Sequence, residues 1–153
     1  MPIKSSPQVS FEENGASVVM LPPDYRPSEG EEFMNPLMRE YFRQKLLQWR
    51  HDILSETAET IHYMQTESIN EPDITDRATN EIDRAFELRT RDRGRKLLLK
   101  IEEALERIND GTYGYCEQTG EPISIARLEA RPIATLSLEA QEKHEKSERL
   151  HSD

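Results

Sequence analysis

Ser68-Ile-Asn-Glu-Pro-Asp-Ile-Thr-Asp-Arg77 separates two long helical patterns. It is short, polar and interrupted by Pro72, and long helical patterns run into it and out of it. Two helices joined by so short a connection turn back on each other as an antiparallel pair. Asp73 and Asp76 are therefore expected at the far end of a helical hairpin, exposed and distant from any core. An acidic tip on a long arm acts as a probe of some other surface.

The helix leading into the tip is expected to start at Asn35-Pro36, with Asn35 as cap and Pro36 at the first helical position. Apolar residues follow at Met38, Phe42, Leu46, Trp49 and Ile53, and a second row, Leu54, Ala58 and Ile61, then takes over. This is one stripe drifting around the helix, as in an imperfect two-stranded coil. A helix from Pro36 to Thr66 is about 45 Å long. The helix leaving the tip starts near Thr75 or Asp76, and its seam reads Ile82, Phe86, Leu97, Ile101, Ala104 and Ile108. Thr90 and Gly94 occupy the seam at mid-arm, where pairing is expected to be weaker, because glycine in a helix costs about 1 kcal/mol relative to alanine. Asn109-Asp-Gly111 ends the helix, with glycine free to turn left-handed.

Arg89, Arg93, Lys96 and Lys100 fall in a band about 60° wide beside that seam. Two readings stand: a solvated face paired with acids of the first helix such as Glu56 and Glu59, or a docking face for an acidic surface or an anionic ligand. Beyond the hairpin, Thr112-Tyr-Gly-Tyr-Cys-Glu-Gln-Thr-Gly-Glu-Pro-Ile123 is rich in turn formers and aromatics and reads as a compact knuckle. A last amphipathic helix is expected from about Ser137, which is a plausible cap. Residues 1–32 contain five prolines and no helical period. They read as a tail, partly disordered or packed on the base with Val18–Leu21 as anchor.

The chain has 153 residues, 35% hydrophobic and 33% charged, with 30 acids against 20 bases and a formal net charge of −10. An acidic balance disfavours direct DNA binding, which needs a basic footprint. A protein or a cationic surface is the easier partner. The single cysteine, Cys116, excludes an internal disulfide. No apolar run reaches the length of a membrane span, and the N-terminus has no basic-then-apolar signal. The expectation is a soluble, cytoplasmic protein.

Four ordered stretches now carry a resemblance: Pro72-Asp-Ile-Thr-Asp-Arg-Ala78, Glu87-Leu-Arg-Thr-Arg-Asp-Arg93, Tyr113-Gly-Tyr-Cys-Glu117 and Arg127-Leu-Glu-Ala-Arg-Pro132. Together they resemble the DksA/TraR family, from about Glu31 to the C-terminal helix. The resemblance implies a mainly α fold: a long antiparallel two-helix coiled coil with a small zinc-finger-like knuckle and a C-terminal helix. The division is then a tail over 1–32, a coiled-coil hairpin over 33–110 with its tip at 68–77, a knuckle over 111–135, and a C-terminal helix over 136–153. It implies a monomeric, non-enzymatic bacterial regulator that binds RNA polymerase rather than promoter DNA. Its coiled coil would enter the secondary channel and alter promoter-complex stability, with guanosine tetraphosphate as co-regulator. By position, Asp73, Asp76 and Ala78 match the functional tip, and Arg93, with Arg89 nearby, matches the docking face. Leu97, Lys100 and Arg131 match the alarmone site shared with polymerase.

The sequence departs from the family pattern twice. Family members usually carry a four-cysteine zinc site, and those positions here read Cys116, Thr119, Ser137 and Ala140. One thiolate does not make a four-ligand zinc site, so a zinc-free knuckle is expected, held by Tyr113, Tyr115, Ile123, Ile125 and Leu128. Gln141 stands where many members carry an alarmone-site lysine, which weakens the attraction for phosphate. Two rival readings are an enzyme using Asp73 and Asp76, and a structural coiled-coil adaptor. A hairpin tip has no walls to exclude water and shift pKa values, which argues against the first. The broken seam at Thr90 and Gly94 argues against the second.

Overall fold

A computed structural model describes residues 9–11, 17–67 and 74–151, with side chains over 19–63 and 78–151. The elements in order are β1 (Val9–Phe11), β2 (Ser17–Val19), α1 (Pro36–Glu67), α2 (Ile74–Asp110), α3 (Ile125–Ala130) and α4 (Leu138–His151). The fold is mainly α. β1 and β2 form a small antiparallel ribbon in which Val9 pairs with Val19 and Phe11 with Ser17. Among the described residues no helix is long and apolar enough to cross a membrane. The chain divides into two compact units: a base of residues 1–46 with 104–153, and an arm of residues 47–103.

In the base, Asn35 caps α1: its Oδ1 accepts the Met38 N–H at 2.9 Å. Pro36 begins the helix, where a missing N–H costs nothing. Met38, Phe42 and Leu46, in steps of four, are fully buried on one face. Ala104 and Ile108 of α2 are buried on theirs. At the end of α2, Gly111 takes φ +86°, and three successive N–H groups, of Gly111, Thr112 and Tyr113, converge on the Arg107 carbonyl. Such convergence satisfies carbonyls that a helix end leaves without a partner.

The knuckle that follows is knit by backbone hydrogen bonds around the Tyr115–Pro122 bridge: Cys116 N–H to Glu121 O at 2.8 Å and Ile123 N–H to Gly114 O at 2.7 Å. Gly114 has φ +90°, and a Cβ there would stand 2.9 Å from Met34 Cε and 3.1 Å from Phe33 Cζ. The left-handed conformation is what calls for glycine there, and a Cβ would also press the Met34 and Phe33 side chains aside. Tyr113, Cys116, Ile123, Ile125 and Leu128 are buried, together with Ile133, Ala134 and Ala140. Tyr115 differs from its expected place in this core. It is 38% exposed and meets Phe33 edge-on at 5.3 Å.

Residues 21–35 lie against this base. Tyr25 stacks edge-on to Tyr41, Tyr41 to Phe42, and Phe42 packs on Tyr113, with centroids 6.0, 5.3 and 5.7 Å apart. The Tyr25 hydroxyl donates to Glu31 at 3.1 Å. Burial, reinforced by Glu31, pushes the Tyr25 phenol up to about 12. Burial and the Glu129 carboxylate do the same to Tyr41. Glu129 also takes Lys45 Nζ at 2.8 Å.

In the arm, α1 and α2 run antiparallel. Ile53 and Ile101 are buried, and Arg50 reaches Glu102 across the pair at 2.8 Å. Gly94 faces α1: a Cβ on it would lie 3.5 Å from Ile53 Cγ2 and 3.8 Å from Thr57 Oγ1, ordinary contact distances. Thr57 and Thr90 each turn their hydroxyl back onto the carbonyl four residues earlier, Ile53 and Phe86. Such back-bonding slightly weakens and bends helices. The seam differs from the sequence expectation beyond this point. Ile82 and Phe86 are 69% and 66% exposed, and Leu54 is 51% exposed.

Candidate functional site

Three groups of residues were singled out from sequence, and the structure treats them differently. Of the tip, Asp73 lies outside the described residues. Asp76 belongs to the first turn of α2, where a carboxylate is favoured by the exposed N–H groups and the helix dipole; its side chain also lies outside the described set. Ala78 is exposed in the next turn.

Of the cationic band, Arg89, Arg93, Lys96 and Lys100 are all exposed, while Leu97 is half-buried. The acids that pair here are not Glu56 and Glu59 of α1. Asp92, on α2 itself, takes Arg95 at 2.6 Å and Lys96 at 3.1 Å. Lys96, then Arg95, holds the Asp92 carboxyl below its ordinary range. The spacing of three and four residues is the normal signal for such a pair, and it was legible in Asp92-Arg-Gly-Arg-Lys96. Arg89 Nε reaches its own helix, at the Ala85 carbonyl, 3.4 Å away. Among the described residues Arg93 and Lys100 have no ion-pair partner. Of the four cations of the band, Lys96 alone has an ion-pair partner among the described residues, and that partner lies on α2 rather than on α1; Arg89, Arg93 and Lys100 are left open.

Arg131, from the base, is the C-cap of α3, with its N–H on the Arg127 carbonyl at 2.8 Å and its side chain exposed. Gln141 donates to Glu145 at 3.0 Å along α4.

The third group is brought together. Cys116 and Thr119 sit on one turn of the knuckle, Ser137 and Ala140 at the start of α4. Cys116 is 2% exposed. Burial alone would push its thiol up. Hydrogen bonding from the Thr119 side chain and from the backbone of Ser137, Thr119 and Gln118 outweighs burial and brings it down from 9.0 to about 6. Backbone hydrogen bonding of this kind favours the anion, and no side-chain pattern announced it.

The other three positions do not offer metal ligands. Thr119 Oγ1 accepts the Glu121 N–H at 3.3 Å, and Ser137 Oγ caps α4 by accepting the Ala140 N–H at 3.2 Å. Ala140 contributes a buried methyl group. One thiolate and two hydroxyls already engaged in turns do not fit a tetrahedral zinc ion, which takes thiolate, imidazole or carboxylate ligands. Among the described residues no cluster of three or more His, Cys, Asp or Glu side chains is placed to hold a metal.

Comparison with known proteins matches the helical hairpin and the knuckle separately. The family described as DnaK suppressor protein DksA, N-terminal domain, matches residues 38–108, and the prokaryotic dksA/traR C4-type zinc finger matches residues 111–146. The chain is 60% identical over 138 residues to a protein of Caulobacter vibrioides (strain NA1000 / CB15N) named RNA polymerase-binding transcription factor DksA, covering 90% of this chain and 97% of that one. It is 45% identical over 115 residues to the protein of the same name from Escherichia coli (strain K12), covering 75% and 76%. Among solved structures, transcription factor DksA2 from Pseudomonas aeruginosa matches with a TM-score of 0.72 at 39% identity, over 81% of this chain and 94% of that one.

Proposed function

We propose, from the premise that this chain belongs to the DksA/TraR family, that it is a cytoplasmic transcription regulator that binds RNA polymerase directly. It is not an enzyme. The observation that carries the reading is the 60% identity to an RNA polymerase-binding transcription factor over 90% of the chain. An acidic protein with a band of exposed, partly unpaired cations on a helical arm suits a protein partner better than a nucleic acid backbone.

In this reading the hairpin of residues 33–110 enters the secondary channel, and Asp73, Asp76 and Ala78 of its tip act near the catalytic centre. Arg93, with Arg89, docks the arm. Leu97, Lys100 and Arg131 contribute to a guanosine tetraphosphate site completed by polymerase, weakened by Gln141. The knuckle, 111–135, works without zinc, the tail of 1–32 packs in part on the base, the helix of 136–153 completes it, and the protein acts as a monomer. The net effect is a change in promoter-complex lifetime at initiation.

The test is a titration of core polymerase with the purified protein, followed by promoter-complex lifetimes with and without guanosine tetraphosphate. Saturable binding with shortened lifetimes is expected. Absence of binding leaves the coiled-coil adaptor as the better reading.

A further inference from the structure

Two large apolar side chains of α2 stand exposed among the described residues. Ile82 and Phe86 stand one turn apart, 69% and 66% exposed. The sequence pattern assigned both to the interhelical seam, yet the buried residues of the arm lie further along, at Ile53 and Ile101. At 100° per residue, Ala78, Ile82, Phe86, Arg89 and Arg93 fall within about 80° of one another on α2. They form one strip about 22 Å long. All five are exposed. The strip begins at the tip-proximal Ala78 and ends in the cations Arg89 and Arg93, and it contains no acid.

We propose that Ile82 and Phe86 are the apolar anchor of the polymerase-docking surface, seated in an apolar recess of the partner that is flanked by acidic groups engaging Arg89 and Arg93. This deepens the reading of the chain as a polymerase-binding protein and rests on it. An aromatic side chain beside arginine is the composition from which interface hot spots are built. Apolar burial supplies the affinity and the arginines supply orientation and on-rate. The continuity of the strip with Arg89 and Arg93 selects the occupant. A second copy of the chain is disfavoured, because a strip with cations and no acids brings like charges together when it pairs with itself.

The experiment is a fluorescence-anisotropy titration of core polymerase against wild-type protein, Phe86→Ala, Ile82→Ser and the conservative Phe86→Leu, with the melting temperature and sedimentation of each protein alone. The expected result is polymerase binding weakened about tenfold by Phe86→Ala and less by Ile82→Ser. Phe86→Leu should restore most of the affinity, and all melting temperatures should stay near wild type. If wild type binds and both truncations bind equally well, the anchor is wrong while the polymerase reading survives. Lowered melting temperatures with unchanged affinity would return both residues to the seam and overturn the proposal. Self-association lost on truncation, with polymerase affinity intact, would assign the strip to a second copy instead. No binding by wild type would remove the polymerase reading itself.

Discussion

Replacing Tyr113 by phenylalanine tests how much one buried hydrogen bond holds the knuckle. Tyr113 is 1% exposed and packs on Phe42. Its hydroxyl donates to the Pro132 carbonyl at 2.7 Å in a buried hydrogen bond, and burial pushes the phenol well above its ordinary value. Tyr113→Phe keeps the ring and its packing. What it removes is the donor, leaving a carbonyl in an apolar setting. An orphaned buried acceptor costs about 1–3 kcal/mol. For a chain near 150 residues, each kcal/mol moves the melting temperature by about 2–4 °C, so a fall of about 4–8 °C is expected for a mid-range loss of about 2 kcal/mol. Tyr115→Phe is the control: Tyr115 is 38% exposed and holds Phe33 only by its ring, so its loss of hydroxyl should move the transition by less than about 1 kcal/mol. Paired thermal melts by circular dichroism make the comparison. If Tyr113→Phe melts with wild type, or if the two variants fall equally, the knuckle does not depend on that bond and the account of its packing is wrong.

Four further outcomes are expected. Gly94→Ala should raise the melting temperature, since its Cβ meets only ordinary contacts at Ile53 and Thr57 and helix propensity gains about 1 kcal/mol; a fall would show that α1 approaches too closely for a methyl group. Cys116 should make stability pH-dependent: its folded pKa of about 6 lies below the ordinary 9.0, so its contribution is full above pH 9, declines as pH falls, and is gone below about 6. Wild type minus Cys116→Ala melting temperatures between pH 6 and 9 should therefore rise with pH, and a flat difference would refute a stabilised thiolate. Elemental analysis should find no stoichiometric zinc, and chelator should leave far-ultraviolet circular dichroism unchanged; one zinc per chain would require ligands outside the four knuckle positions. Arg93→Ala should weaken polymerase binding without lowering the melting temperature, whereas a large fall in stability would make Arg93 a folding residue.

The helical elements were legible because their signals are local. Asn35-Pro36, Gly111 and Ser137 each satisfy helix-end groups through their own side chain or backbone, and those effects need no tertiary context. The buried stripe of Met38, Phe42 and Leu46 was equally plain from its spacing. Burial in the arm was not legible at Ile82 and Phe86, because periodicity says which residues share a face and not what covers that face. That Tyr115 meets Phe33 at the edge of the knuckle rather than joining its core was not legible, because only the folded chain brings residue 33 there. The degenerate metal positions could be read as lacking ligands. The lowered thiol of Cys116 could not, since it depends on backbone hydrogen bonding, every residue carries an N–H, and no side-chain pattern marks where those groups act.

In the proposed function the arm docks by one part and regulates by another. Asp76→Asn against wild type tests it most directly, with core-polymerase affinity and transcription from a sensitive promoter measured on the same preparations. Unchanged affinity with regulation lost is expected, because Asp76 lies in the first turn of α2 and the docking residues Ile82, Phe86, Arg89 and Arg93 all lie more than one turn further along the helix. Affinity and regulation falling together would contradict it and make the tip part of the docking surface.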